Sequence, residues 1–154
     1  MRKNPAESLY RLIYCSRDVI QAAMPGADPA AELLAIVRAA RLRNKASNLS
    51  GLLLSNGAGF LQVLEGRRDI VERTYDRISI DPRHADVSIL SFIPTERRYF
   101  GHWPMALCNR LPPDIDDPLE TLLAGAGRTA RRGTTGSAVL RMMQKLVRRE
   151  NVLA

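Results

Sequence analysis

Apolar positions along this chain recur at two periods, and the period changes wherever glycine, proline or asparagine interrupts it. Leu9 to Cys15 reads LYRLIYC, a short apolar and aromatic run that predicts a buried strand. Residues 17–27 predict a loop holding Pro25 and Gly26. Asp28 then precedes Pro29, an N-cap followed by a proline in the first helical turn. The helix runs on through Leu33, Leu34, Ile36 and Val37, with basic residues near its end where the helix dipole favours them. The segment from Asn44 to Asn48 breaks it. GLLLS at 51–55 and FLQVLE at 60–65 predict two strands, joined by Asn56-Gly57-Ala58-Gly59, whose composition suits a hairpin turn. Asp69 to Ser79 places Ile70, Val71, Thr74, Tyr75 and Ile78 on one helical face, and Asp81-Pro82 stops that helix. Asp86 to Ile93 alternates as a strand, and a further strand is expected over His102 to Cys108.

The order is β-α-β-β-α-β followed by one more β. This predicts an α+β, ferredoxin-like fold with two helices on one face of a mixed five-stranded sheet. After Leu111, prolines 112, 113 and 118 mark a boundary. Residues 119–124 predict a short helix, and 125–136 (GAGRTARRGTTG) read as a flexible linker. Residues 137–150 predict an amphipathic helix with Val139, Leu140, Met143, Leu146 and Val147 on one side. That stripe has to be buried, either on the open sheet face or on another subunit. The expected organisation is therefore a domain over 8–110 and a C-terminal helical extension over 111–154.

Composition narrows the class. The chain has 154 residues, 45% hydrophobic and 25% charged, enough apolar material for one core. Cys15 and Cys108 sit in apolar runs and form no disulfide framework or metal-ligand spacing. No apolar h-region follows the basic start, and no stretch approaches the roughly 20 apolar residues of a membrane span. A reducing cytoplasmic location and no membrane partner are expected. The net charge of +7 is uneven: residues 125–154 carry seven basic residues against Glu150 alone. Such a tail is either a solvated helix face or a surface for an acidic partner such as nucleic acid.

Conventional catalysis finds little support. His84 and His102 are the two histidines and have no metal-ligand companions, so neither a metal site nor an enzyme is expected. The glycines of NGAGF explain themselves as a turn rather than a phosphate loop. Gln62 is more informative. It shares a strand face with Phe60 and Leu64, and burying its amide unpaired would cost about 1–3 kcal/mol. Tyr14, on a face with Leu12, is a candidate partner, because a buried phenol also needs one. On local chemistry alone the two form either an ordinary core pair or the floor of a polar pocket. Asn44, at the end of the first helix, serves either as a C-cap or as a reader of a heteroaromatic edge. Trp103 and Met105 lie two apart on the last expected strand and should point the same way.

The strings LYRLIYCS, RNKASNLSGLLLSNGAGFLQVLEG, TYDRISIDPRHADVSIL and ERRYFGHWPM resemble the BLUF family of blue-light sensors in order and spacing, over about residues 8 to 108. The resemblance implies a short photoreceptor with non-covalent FAD, or FMN or riboflavin, between its two helices. It implies that Tyr14 is the photoactive electron and proton donor, and that Gln62 bridges it to the flavin. It further implies that Asn44, Arg77, Asp81 and His84 line the flavin edge, with Trp103 and Met105 as switch residues. Light would leave the Gln62 amide in a different orientation or tautomer and shift the flavin band to the red. The output would pass to a separate effector protein, from a homo-oligomer. Two other readings share the fold: a nucleic-acid or protein-interaction module without photochemistry, which would need exposed stacking aromatics, and an acylphosphatase-like enzyme. The latter would need a phosphate cradle that residues 16–27 lack.

Overall fold

The computed structural model describes residues 4–124 and 132–153. A single turn at Pro5–Glu7 leads into β1 (Leu9–Asp18), the short α1 (Ile20–Ala23) and α2 (Pro29–Ala46). The hairpin β2 (Ser50–Ser55) and β3 (Gly59–Arg67) follows, then α3 (Arg68–Ser79), β4 (His84–Pro94), β5 (Ala106–Cys108), α4 (Leu119–Ala124) and α5 (Arg132–Arg148). The sheet order is β4-β1-β3-β2-β5. All pairings are antiparallel except β2 with β5. This is the expected α+β ferredoxin-like arrangement, with a fifth strand added beside β2.

Local chemistry sets the boundaries. Asp28 caps α2 by accepting from the Ala30 N–H at 3.2 Å, with Pro29 in the first turn. In the hairpin, Asn56 Oδ1 accepts from the Ala58 and Gly59 N–H groups, both at 2.9 Å, while Gly57 takes a φ of +86°. Such a turn needs a residue that tolerates the left-handed region. Gly51 is required for a different reason. A Cβ there would lie 2.0 Å from the Val63 carbonyl oxygen, so only glycine lets β2 close on β3.

The sheet is buried on both faces. One face carries Leu12, Tyr14, Leu53, Phe60, Leu64, Met105 and Leu107 against α2 and α3, which contribute Val37 and Val71. The other carries Ile13, Cys15, Leu52, Leu54, Leu61 and Val63, covered by Leu119 of α4 and by Val139, Met143 and Leu146 of α5. Two-sided burial explains why β1, β2 and β3 read as continuous apolar runs rather than alternating ones. It also answers where the stripe on α5 goes: it docks on the open sheet face of its own chain. The surface that a sheet-stacking RNA binder would present is thereby covered. Arg141, Lys145 and Arg148 remain exposed on the outer side of α5, and Arg149 pairs with Asp114 at 2.7 Å.

Four expectations need correction. The expected loop over 17–27 is partly ordered, because Arg17 and Asp18 end β1 and Ile20–Ala23 form α1. Residues 132–136 are helical, because α5 begins at Arg132, and the rest of the expected linker, 125–131, lies outside the described residues. Asn44 does not cap α2; Ser47 occupies that position, and Asn48 takes the left-handed conformation at φ +55°. The last strand starts at Ala106 rather than His102. Pro104 has no N–H for a ladder, and Trp103 closes a turn onto the Phe100 carbonyl at 3.2 Å. Trp103 and Met105 therefore do not share a face. Trp103 packs half-buried against the α4/α5 side, and Met105 is buried on the α2/α3 side. Among the described residues no helix is long and apolar enough to cross a membrane.

Candidate functional site

The site lies between α2 and α3, on the sheet face those helices cover. β1 and β3 build its floor. Their register sets Tyr14 directly opposite Gln62, so the two polar side chains of this face meet between apolar neighbours. The Tyr14 hydroxyl donates to Gln62 Oε1. The other end of the amide, Nε2, donates to Met105 Sδ at 3.4 Å. All three side chains are buried, with exposures of 1%, 5% and 1% in that order. The Tyr14 ring also meets Tyr75 of α3 edge-on, with ring centres 5.9 Å apart.

Burial without a compensating charge dominates the electrostatics. It pushes the Tyr14 phenol well above its ordinary value, with the nearby Tyr75 and Asp81 adding to the effect. An ionised phenolate is thus strongly disfavoured, and Tyr14 remains a neutral hydrogen-bond donor. Burial lowers His84 below its usual value, Asp81 opposing and Arg83 reinforcing the shift. The His84 ring is stacked at a tilt on Phe60 and hydrogen-bonds the Ser16 hydroxyl through Nδ1 at 2.8 Å. Arg83 holds the Asp81 carboxyl below its ordinary range through a bond of 2.6 Å.

An inner pocket of about 50 Å³ lies over this floor, lined by Tyr14, Asn44, Gln62, Arg77, Asp81 and His84 among others. Arg43, Asn44, Thr74 and Arg77 also line an outer cleft of about 390 Å³. Of these two, the outer cleft falls in the size range of small-molecule and cofactor sites and the inner pocket does not. Its lining contains Arg43, Arg73 and Arg77 and no acidic residue. The structure therefore brings together six of the eight residues singled out in the sequence. Met105 joins them from behind through Gln62, and Trp103 stands apart on the other side of the sheet. Asn44 is buried, and its Nδ2 donates to the Pro104 carbonyl at 2.7 Å.

The donor set fits a flavin. Its ring is flat and mostly apolar, with carbonyl and N–H groups alternating along one edge. Ile36, Ala40, Leu53 and Ile78 supply apolar walls, and Asn44, Arg77 and Asp81 supply amide, cationic and carboxylate groups at the rim. The three arginines of the outer cleft suit a phosphorylated tail.

Sequence reading missed Ser16, Tyr75 and Arg83, each of which touches a residue of the set. The register of β1 with β4 pairs Asp18 with His84 and so brings Ser16 near that ring, but a pairing across 68 positions leaves no local signal.

Comparisons with known proteins converge. The model of the BLUF family, described as sensors of blue-light using FAD, matches residues 9–106. The photoactivated adenylate cyclase subunit beta of Euglena gracilis is 35% identical over 94 residues, 60% of this chain and 11% of that protein. The blue light- and temperature-regulated antirepressor BluF of Escherichia coli is 34% identical over 95 residues, 62% of this chain and 24% of that protein. The chain thus spans between about a tenth and a quarter of these relatives' lengths. Among solved structures, the dark state of BlrB, a BLUF protein, superposes with a TM-score of 0.68 at 30% identity, covering 92% of this chain and 96% of that one. A bacterial light-regulated adenylyl cyclase superposes with a TM-score of 0.61 at 26% identity, covering 86% of this chain and 36% of that one.

Proposed function

The chain belongs to the BLUF family, the sensors of blue-light using FAD, and from that premise we propose that it binds FAD non-covalently between α2 and α3 and reports blue light through Tyr14 and Gln62. The observation that carries this reading is the buried relay from the Tyr14 hydroxyl through the Gln62 amide to the Met105 thioether, lying under the cleft. Asn44, Arg77, Asp81 and His84 bind the ring edge. FMN or riboflavin would occupy the same floor.

Bound flavin supplies the blue absorption and, once excited, the oxidising power. Tyr14 supplies the electron and the proton. Burial keeps the phenol neutral in the dark; in the light its proton would pass to Gln62 Oε1, the acceptor in contact, as the electron leaves, and both would return to Tyr14 when the charges recombine, so that no net oxidation results. Gln62 is the element that changes. Its oxygen is held by a phenol, a strong donor, and its nitrogen by a thioether, a weak acceptor. Turning the amide about its terminal torsion exchanges donor and acceptor at both ends, and the weak thioether bond opposes that turn only slightly. The new orientation presents a different hydrogen bond to the ring and withdraws the one to Met105. The change thereby reaches the backbone ahead of β5, where Met105 rather than Trp103 is the contact.

We read the chain as a sensor without catalysis of its own. It acts in the cytoplasm as a homo-oligomer on a separate effector protein. Residues 8–110 form the sensor, and 111–154 an extension whose helices cover the second sheet face. The exposed basic side of α5 is available to an acidic partner, nucleic acid included. The likeness to a light-regulated cyclase and to an antirepressor supports coupling to an effector.

The test is an absorption spectrum of the flavin-loaded protein before and after blue light. A reversible red shift of the long-wavelength band is expected. Tyr14→Phe should retain the flavin and lose the shift. A colourless protein that takes up no flavin, or a normal photocycle in Tyr14→Phe, would overturn the assignment.

A further inference from the structure

Three consecutive carbonyls ahead of β5 are each held by a donor that is not part of the β5 ladder. The Trp103 carbonyl accepts from the Gly51 N–H at 3.1 Å. The Pro104 carbonyl accepts from Asn44 Nδ2 at 2.7 Å, and the Met105 carbonyl from Arg41 Nε at 2.9 Å. Arg41 and Asn44 are three residues apart on α2 and so lie on one face of it. The α2 helix thus grips the peptide units on either side of the Met105 Cα. The Met105 side chain meanwhile reaches down to Gln62.

Arg41 has a second contact. Its Nη2 donates to the Leu153 carbonyl at 3.0 Å. Leu153 lies beyond α5 and pairs with Leu107 of β5 in both directions: Leu107 N–H to the Leu153 carbonyl at 2.8 Å, and Leu153 N–H to the Leu107 carbonyl at 2.7 Å. One guanidinium therefore joins the carbonyl of the residue that touches Gln62 to the segment laid along the free edge of β5. The planar fork of arginine holds two acceptors in a fixed relation, which a lysine ammonium cannot do.

We propose that Arg41 is a positioning residue that couples Met105 to the segment after α5, so that a change at Gln62 alters the hold on Leu153. The proposal rests on the reading of Gln62 and Met105 given above. Arg41 does not line the inner pocket or the outer cleft, so its role is separable from flavin binding. When the Gln62 amide turns away from Met105 Sδ, the Met105 peptide relaxes, the Arg41 bond to it lengthens, and the shared bond to Leu153 weakens. Light should therefore loosen the Leu107–Leu153 bridge.

Amide hydrogen exchange at Leu107 and Leu153 tests this in the full, flavin-loaded chain, in darkness and under continuous blue light. In the wild type, both amides should exchange faster in the light. In Arg41→Ala they should exchange about tenfold faster already in darkness, the effect of losing a charge-assisted bond, and light should add nothing. The flavin band should still shift, since Tyr14 and Gln62 are untouched. Arg41→Lys should restore only part of the protection, because an ammonium lacks the planar fork that fixes the two carbonyls in one relation. Unchanged dark exchange in Arg41→Ala would overturn the proposal, as would a light response that survives that substitution or full rescue by lysine. A wild type whose band shifts while both amides stay indifferent to light would overturn the coupling alone. A wild type whose band does not shift would overturn the photochemical reading and the coupling together.

Discussion

Removing the Glu65 carboxylate should destabilise the protein more than any other single polar truncation in it. Glu65 is completely buried on β3, and Arg11 of β1 beside it is 3% exposed. Arg11 Nε donates to Glu65 Oε2 at 2.9 Å, and its Nη2 reaches the Thr95 hydroxyl and the Arg97 carbonyl, both at 3.2 Å. The carboxylate also accepts from the Tyr99 N–H at 2.9 Å and the Phe100 N–H at 2.7 Å. Glu65→Ala leaves a buried guanidinium without its partner, which costs about 3–5 kcal/mol. It also strands two backbone donors, each worth about 1–3 kcal/mol if water does not reach it. With water reaching the two freed donors the ion-pair cost alone remains, and a loss of about 4 kcal/mol is severe against a total stability of about 5–15 kcal/mol. At about 2–4 °C per kcal/mol for a domain of this size, Tm should fall by about 8–16 °C. Glu65→Gln keeps the shape and one acceptor, and should cost about 2 kcal/mol. The double variant Arg11→Met with Glu65→Leu separates two roles. If the pair were only an ion pair, apolar replacement of both would be close to neutral. Because Glu65 also clamps residues 99 and 100, the double variant should stay destabilised. Urea unfolding of the flavin-loaded protein, followed by circular dichroism, measures all three. A Glu65→Ala loss under about 1 kcal/mol, or full recovery in the double variant, would refute the clamp.

Other outcomes follow from the same geometry. Gly51→Ala places a methyl 2.0 Å from the Val63 carbonyl and should cost about 3 kcal/mol or prevent folding, read as the yield and urea midpoint of the purified protein. Met105→Leu conserves volume and should cost under about 1.5 kcal/mol. It removes the sulfur acceptor of Gln62 Nε2, so the dark recovery of the red-shifted band should change rate while the static stability barely moves; an unaltered recovery time argues against the relay. His84 is held below its usual value by burial, so the unfolded chain binds its proton first. The contribution of the neutral ring is complete above the unfolded value of about 6.5 and is lost as pH falls below it. Urea midpoints at pH 7.5 and 5.5 should differ more in the wild type than in His84→Gln, and equal differences would refute the assignment.

Much of the fold was legible because its strongest signals are local. Asp28-Pro29 and Asn56-Gly57 each satisfy their own backbone within a few residues, so the start of α2 and the hairpin could be placed from composition. The strands were legible as apolar runs, although their faces were not. Leu12 to Cys15 and Leu52 to Leu54 are apolar at consecutive positions rather than at alternate ones, which signals burial on both sides without saying what covers each side. The cover, α4 and α5, lies beyond position 118 and is recognisable only as a stripe in need of a home. The misplaced start of β5 has a similar origin. His102 to Cys108 has strand-like composition, but Pro104 removes a donor, and the three carbonyls before Ala106 find partners on α2 and β2 instead.

The site was legible residue by residue and illegible as a circuit. A glutamine amide and a phenol on apolar strands announce themselves, because each is costly to bury alone, and the antiparallel register of β1 with β3 makes them meet. The β1–β3 register puts the polar pair on the α2/α3 side, and that side is where the cleft opens. What surrounds the pair comes from four elements separated by up to ninety positions, and nothing in the local pattern of α2 distinguishes Arg41 from Arg38 or Arg43. Arg41 and Arg43 are two steps apart and so point to different sides of the helix. Arg43 lines the cleft, whereas Arg41 holds the Met105 and Leu153 carbonyls. The same residue type thus serves the two ends of one device, ligand at one and output at the other, and only the helix phase assigns them. Exchanging the two positions, Arg41→Ala against Arg43→Ala, should therefore separate the effects. The first should alter amide protection at Leu107 and Leu153 without weakening flavin binding. The second should weaken binding of phosphorylated flavins, measured by fluorescence quenching on titration, without altering that protection. If both variants produce the same change in both measurements, the division of labour along α2 is wrong.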